Sequence, residues 1–175
     1  MAADGSWIRD HIRAIPHYPQ PGVTFRDITP LLGEAAAFGR AIDDLVARFN
    51  DVEVSRVIGI ESRGFILGAA VAYRLRAGFV PVRKAGKLPG RVAYEEYELE
   101  YGTDRLEIHW DAIHADEPVL VVDDVLATGG TARATANLVE ALGGRVVGIG
   151  VLMELADLDG RSRLGGYRVE SLTTY

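Results

Sequence analysis

Apolar residues recur along the chain at two spacings, and their alternation predicts a single α/β domain. Phe38, Ile42, Leu45, Val46 and Phe49 return every three or four positions and give one helix an apolar face. Arg56 to Ile60 is instead a short, nearly unbroken apolar run of the buried-strand kind. After a turn at Glu61-Ser62-Arg63-Gly64, the helical spacing resumes at Leu67, Val71, Ala72 and Leu75, which makes a βα unit. A further strand is predicted over Phe79 to Arg83. The stretch from Lys84 to about Ala93 is polar, basic and broken by Gly86, Pro89 and Gly90, and is predicted to be mobile. Tyr94 to Leu99 and Arg105 to Trp110 flank Tyr101-Gly102-Thr103-Asp104 and read as a hairpin at the sheet edge. Near the start, Ser6 can cap a helix running to about Ile15. Pro16, Pro19, Pro21 and Gly22 then impose an irregular path into Thr24-Phe25-Arg26-Asp27.

The strongest chemical signal lies in Pro118-Val119-Leu120-Val121-Val122-Asp123-Asp124-Val125-Leu126-Ala127-Thr128-Gly129-Gly130-Thr131. An apolar run ending in adjacent carboxylates describes a buried parallel strand whose carboxyl end emerges where open α/β sheets bind ligands. Carboxylates are acceptors, so Asp123 and Asp124 suit the hydroxyls of a ribose, or a Mg²⁺ approached directly or through water. Ala127, Thr128, Gly129, Gly130 and Thr131 then lead into a helix with Thr135, Leu138, Val139 and Leu142 on one face. Glycines admit an anion close to the backbone, amide groups point outward, the helix dipole is favourable and two threonine hydroxyls add donors. Such a loop suits a monophosphate. It is not a Walker A loop, since Gly86-Lys87 continues into Leu88-Pro89, and Gly148 and Gly150 lack the third glycine of a dinucleotide fingerprint.

Composition narrows the partners. With 175 residues, 48% hydrophobic and 25% charged, the chain has the length and make-up of one globular domain. A net charge of -6 gives no basic excess of the kind that favours nucleic acid or an anionic membrane. With no cysteine, neither a disulfide framework nor a thiolate metal site can form. His11, His17, His109 and His114 are too scattered to suggest a metal site. No apolar run approaches the roughly 20 residues of a membrane span, and the first residues lack a secretory signal. A cytoplasmic protein is expected.

The strand, the two acids and Ala127-Thr128-Gly129-Gly130-Thr131 together resemble the signature by which phosphoribosyltransferases bind 5-phosphoribosyl-1-pyrophosphate (PRPP). Pro21 to Pro30, Glu61-Ser62-Arg63-Gly64-Phe65, Arg83 to Gly90 and Leu99-Glu100-Tyr101-Gly102 look like segments of the adenine phosphoribosyltransferases, in family order. The resemblance implies the type I phosphoribosyltransferase fold: a central, mainly parallel sheet flanked by helices, a hood segment over residues 1–34 and a flexible catalytic loop and hairpin over 84–104. It also implies a homodimer, Mg²⁺ as cofactor, adenine and PRPP as substrates, and AMP and pyrophosphate as products.

Carried to this sequence, the resemblance makes Phe25 and Val125 sandwich the adenine ring while main-chain groups around Thr24 and Arg26 read its edge. The flat apolar faces of adenine suit such neighbours. Thr24 stands where the family more often has an aliphatic residue. Glu61, Ser62 and Arg63 would form the pyrophosphate loop, with the Glu61–Ser62 peptide cis, and Lys84 and Lys87 would reach the same group. Mg²⁺ would come mainly through PRPP and water, with Asp123 or Asp124 nearby. Glu100 would tune the proton at purine N7, assisted by Arg63 and Lys84 as cations on the leaving group, and Tyr101 would lie close by. Glu95, Glu96 and Glu98 of the same stretch are expected in solvent. Two other readings share the fold: transfer to a different purine or pyrimidine, and a non-catalytic sensor of PRPP or nucleotide.

Overall fold

A computed structural model of the chain describes residues 5–98 and 102–175. The chain starts with a short helix α1 (Ser6–Arg9), then β1 (Arg13–Pro16), β2 (Thr24–Asp27), α2 (Thr29–Gly33) and α3 (Ala35–Ala47). There follow β3 (Arg56–Ile60), α4 (Arg63–Leu75), β4 (Gly78–Lys84), β5 (Val92–Glu98), β6 (Thr103–His109), β7 (Pro118–Leu126), α5 (Gly130–Ala141), β8 (Arg145–Glu154) and β9 (Val169–Thr174). Two 3₁₀ turns, Ala156–Leu158 and Gly160–Leu164, join the last two strands.

The main sheet has seven strands in the order β5-β6-β4-β3-β7-β8-β9. The pairs β3–β4, β3–β7, β7–β8 and β8–β9 are parallel, whereas β4–β6 and β5–β6 are antiparallel. The expected hairpin therefore forms at the edge, where its two strands can add antiparallel to an otherwise parallel sheet. One core lies between the sheet and α3 and α4, built on Ile42, Leu45, Val57, Leu67, Val71 and Leu120. The other lies under α5 and the hairpin, with Ile58, Val82, Ile108, Val121, Leu138 and Val139. The helical spacings read from the sequence supply these faces, with Phe49 buried just beyond α3.

Three sequence readings are corrected here. The first helix stops at Arg9, and Gly5 rather than Ser6 stands at its N-cap. Arg13 to Pro16 is extended because it pairs antiparallel with Thr24 to Asp27, a partner too distant in sequence for local spacing to reveal. Strand β7 does not end at Val122 but runs on through both aspartates to Leu126, because β8 continues alongside it, with Asp123 opposite Val151 and Leu126 opposite Glu154. Glu95 is not a freely solvated acid: it accepts a 2.7 Å hydrogen bond from the Asn137 amide of α5.

Candidate active site

A cavity of about 410 Å³ opens at the carboxyl ends of β3 and β7. It brings together Glu61, Ser62 and Arg63 after β3, Lys84 at the end of β4, Asp123, Asp124 and Val125 on β7, and the whole loop from Ala127 to Thr131. Segments far apart in sequence thus converge where the topology of an open α/β sheet leaves a crevice. The Glu61–Ser62 peptide is cis, as the family resemblance implied.

The loop from Ala127 to Thr131 owes its shape to two glycines in contact. Gly129 caps α5 with φ of 80°, in the left-handed region, and a Cβ there would stand 2.3 Å from the Gly160 carbonyl oxygen. Gly160, in the connection after β8, is equally confined: its Cβ would stand 2.2 Å from the Ala127 oxygen. The loop is therefore pressed against a segment some thirty residues on, at a distance any side chain would prevent. The Gly129 carbonyl accepts from the Arg133 amide at 2.9 Å, so the helix starts at once and its first amides remain for a ligand.

The aspartate pair is crowded and under-satisfied. Asp124 is 4% exposed, and its Oδ2 lies 3.0 Å from Arg63 Nε in an ion pair but has no hydrogen-bond partner. Asp123 Oδ1 accepts from the Asp124 amide at 2.9 Å, in space left open because Gly64 has no side chain. Burial, followed by the neighbouring Asp124 charge, pushes the Asp123 carboxyl well above the usual range, with Arg63 opposing. Burial also raises Asp124, against the pull of Arg63. A pair held this way gains from any donor or cation that arrives.

The cations opposite are held by carboxylates of their own. Lys84 Nζ lies 3.0 Å from Asp104 Oδ2, and the hydrogen bond with Asp104 raises the lysine pKa and keeps it charged. The same oxygen accepts from the Tyr97 hydroxyl at 3.2 Å, and the Tyr97 ring lies beside Gly130 in the loop from Ala127 to Thr131. Glu61 gathers the basic segment: it accepts from the Lys84 amide at 3.0 Å and from Arg83 Nε at 3.4 Å, and it pairs with Lys87 Nζ. Burial alone would raise the Glu61 carboxyl, but the bonds from Lys87 and the Lys84 amide outweigh it and hold it low. The Glu61 amide donates to Val82 O at 3.0 Å. Both ends of Glu61 are thus engaged within the protein, which makes this residue an orienter of cations.

Thr24, Phe25, Arg26 and Lys87 are not among the residues that line the cavity. Phe25 is nevertheless tied to it, because the Arg63 guanidinium lies 5.0 Å from the centre of its ring. Val125 stands on β7 between the cavity and the core. Glu100 and Tyr101 lie outside the described residues. Tyr97, Asp104 and Gly160 were missed in the sequence. Alternation along β5 places Ala93, Glu95 and Tyr97 on its less exposed face and could have singled out Tyr97, whereas Asp104 and Gly160 carry no local signal.

Comparison with known proteins agrees with this geometry. The family model "Phosphoribosyl transferase domain" matches residues 31–173. An adenine phosphoribosyltransferase of Thermotoga sp. strain RQ2 is 56% identical over 168 residues, covering 96% of this chain and 99% of that one. The crystal structure of adenine phosphoribosyltransferase from Rhodothermus marinus superposes with a TM-score of 0.95 at 49% identity, covering 100% of both chains. That from Saccharomyces cerevisiae, complexed with an imino-altritol bisphosphate and adenine, superposes with a TM-score of 0.92 at 40% identity, covering 98% of this chain and 99% of that one. The fold is thus that of the type I phosphoribosyltransferases, as the sequence implied, and the chain belongs to the adenine phosphoribosyltransferase family.

Proposed function

We propose that this chain transfers the phosphoribosyl group of PRPP to N9 of adenine, yielding AMP and pyrophosphate, and so salvages a free purine. The observation that carries this reading is the meeting, in one cavity, of an anion-binding helix start, an under-satisfied aspartate pair and a set of cations. These match the 5′-phosphate, the ribose hydroxyls and the pyrophosphate of PRPP in turn.

Amides and hydroxyls of Ala127 to Thr131 hold the 5′-phosphate, and Asp123 and Asp124 accept from the ribose hydroxyls. Arg63, Lys84 and Lys87 face the pyrophosphate, with Ser62 offering its amide and Glu61 arranging the cations. Phe25 and Val125 flank the adenine, whose edge is read by main-chain groups of Thr24 and Arg26. In the reaction N9 forms a bond to ribose C1′ as the bond from C1′ to the pyrophosphate oxygen breaks. No protein nucleophile is needed, so the residues act by alignment and by stabilising charge on the leaving group. Glu100 manages the proton on the purine at N7, with Tyr101 beside it, and Glu100→Gln is expected to lower kcat far more than PRPP affinity.

Mg²⁺ belongs to the proposal. Among the described residues no group of three or more His, Cys, Asp or Glu side chains converges to hold a metal. Asp124 Oδ2, which pairs with Arg63 but has no hydrogen-bond partner, fits a Mg²⁺ carried mainly by phosphate oxygens and water, with Asp123 or Asp124 nearby. Bound there, the ion would neutralise charge on the pyrophosphate.

A homodimer is also proposed: Ile66 and Tyr73 on α4 and Phe79 on β4 are exposed apolar positions that a second copy could cover. No helix among the described residues is long and apolar enough to cross a membrane. A cytoplasmic place of action is proposed from the absence of cysteine and the nature of the substrates.

The test is pyrophosphate release from PRPP and Mg²⁺ with adenine, hypoxanthine, guanine, xanthine and uracil in parallel. Release with adenine alone is expected. Release with another base would overturn the acceptor, and none with any base would favour a sensor.

A further inference from the structure

The base-recognition segment is a separate piece of structure. Strands β1 and β2 form their own two-stranded sheet of four residues each, and a pair of that size is marginal in water unless it docks on something else. Side chains along β2 alternate between its faces, so Phe25 and Asp27 share one and Thr24 and Arg26 the other.

The two faces have different anchors. On one, Phe25 meets the Arg63 guanidinium at 5.0 Å and the Tyr18 ring edge-on at 5.4 Å. Arg63 also lines the cavity and pairs with Asp124, which places this anchor within reach of a bound anion. On the other face, the Arg26 guanidinium lies 4.0 Å from the centre of the Tyr175 ring. Tyr175 does not line the cavity, so this anchor stands apart from the ligand site.

Tyr175 is itself firmly placed. Its amide donates to Glu154 O at 2.9 Å, and its carbonyl accepts from the Ala156 amide at 3.0 Å. Glu154 stands opposite Leu126, the residue after Val125 on β7. Arg9 crosses the same ring at 5.1 Å and donates through Nε to Thr173 Oγ1 at 3.1 Å. Tyr175 packs on the core cluster that also takes Val125 and Met153. The two walls proposed for the base, Phe25 on β2 and Val125 on β7, are therefore linked through Arg26 and Tyr175.

We infer that Tyr175 is a positioning residue for base recognition: its ring fixes the Arg26 side chain, and with it the face of β2 on which Phe25 stands. The inference rests on the proposed role of Phe25 against the adenine ring.

The test compares Tyr175→Leu, which keeps apolar bulk but removes the aromatic face, with Tyr175→Phe, which keeps that face. Tyr175→Leu is expected to raise the adenine KM about five- to tenfold while the PRPP KM and kcat stay within about twofold, as loss of the partly desolvated Arg26–Tyr175 cation–π contact implies. Tyr175→Phe is expected to behave as the parent. An unchanged adenine KM in folded Tyr175→Leu overturns the inference. So does an equal rise of both KM values alongside a lowered Tm, which marks packing alone. Phe25→Ala run in parallel separates the two levels. If Phe25→Ala leaves the adenine KM unaltered, the base-stacking reading fails and takes the inference with it; if it raises that KM while Tyr175→Leu does not, the inference alone fails. Should Tyr175→Leu not fold, Arg26→Met removes the other half of the contact and is expected to give the same ratio of KM changes.

Discussion

Two sets of carboxylates line the cavity, and the protein treats them oppositely. On β7, Asp123 and Asp124 are crowded and pushed upward in pKa by burial, and Asp124 Oδ2 has no hydrogen-bond partner. Beside the basic segment, Asp104 is held low, first by its hydrogen bond with Lys84, and Glu61 is held low against burial by Lys87 and the Lys84 amide. A carboxyl pushed upward by burial costs the fold stability at neutral pH, and the proposed ligand would offset that cost. The second set, held low by its partners, is expected to stabilise the fold and to orient Lys84 and Lys87. Binding strength and folding stability should therefore respond in opposite directions to the same change of charge in the two regions.

The contrast can be broken most visibly at Asp124. Asp124→Asn is expected to weaken PRPP binding roughly 10- to 100-fold, the span for a lost hydrogen bond to a charged group, without lowering Tm; calorimetric titration with a thermal scan checks both. Glu61→Gln should do the reverse, lowering Tm by about 2–4 °C, as a loss near 1 kcal/mol would in a domain of this size, and speeding amide exchange across Lys84 to Gly90. A fall in PRPP affinity as large as that of Asp124→Asn would erase the distinction.

The smallest expected effect is on pH dependence. A carboxyl whose pKa is raised on folding loses stability for the fold as pH rises through that value, so mild acidification from neutrality should raise the Tm of the ligand-free protein. The depressed carboxyls of Glu61 and Asp104 contribute stability above their unfolded values, and this is lost as pH falls through their folded ones, below about pH 4. Thermal scans across acid pH should thus show a rise followed by a fall, with the rise reduced in Asp123→Asn, which leaves only Asp124 to supply it.

The same contrast separates what the sequence disclosed from what it hid. The β7–α5 stretch was legible because its chemistry is local: apolar run, acids, glycines and threonines sit in one continuous segment. The partners of the cations were not, because Asp104 meets Lys84, and Glu61 meets Lys87, only after β4, β6 and β3 are assembled. Close contact between Gly129 and Gly160 likewise depends on how the connection after β8 folds back. The misread first helix has the same origin, since Arg13 is extended by its pairing with Asp27. Strand β9 was missed because Val169-Glu170-Ser171-Leu172-Thr173-Thr174 is weakly apolar and is made a strand by its place beside β8.

The most direct test is a single comparison of Asp123→Asn with the parent, measuring Tm without ligand and PRPP affinity in the same buffer at neutral pH. Asparagine can keep the acceptor that the Asp124 amide uses and removes the charge. A higher Tm together with weakened PRPP binding is expected. A lower Tm with PRPP binding retained would contradict it, and would make the aspartate pair a structural feature of β7.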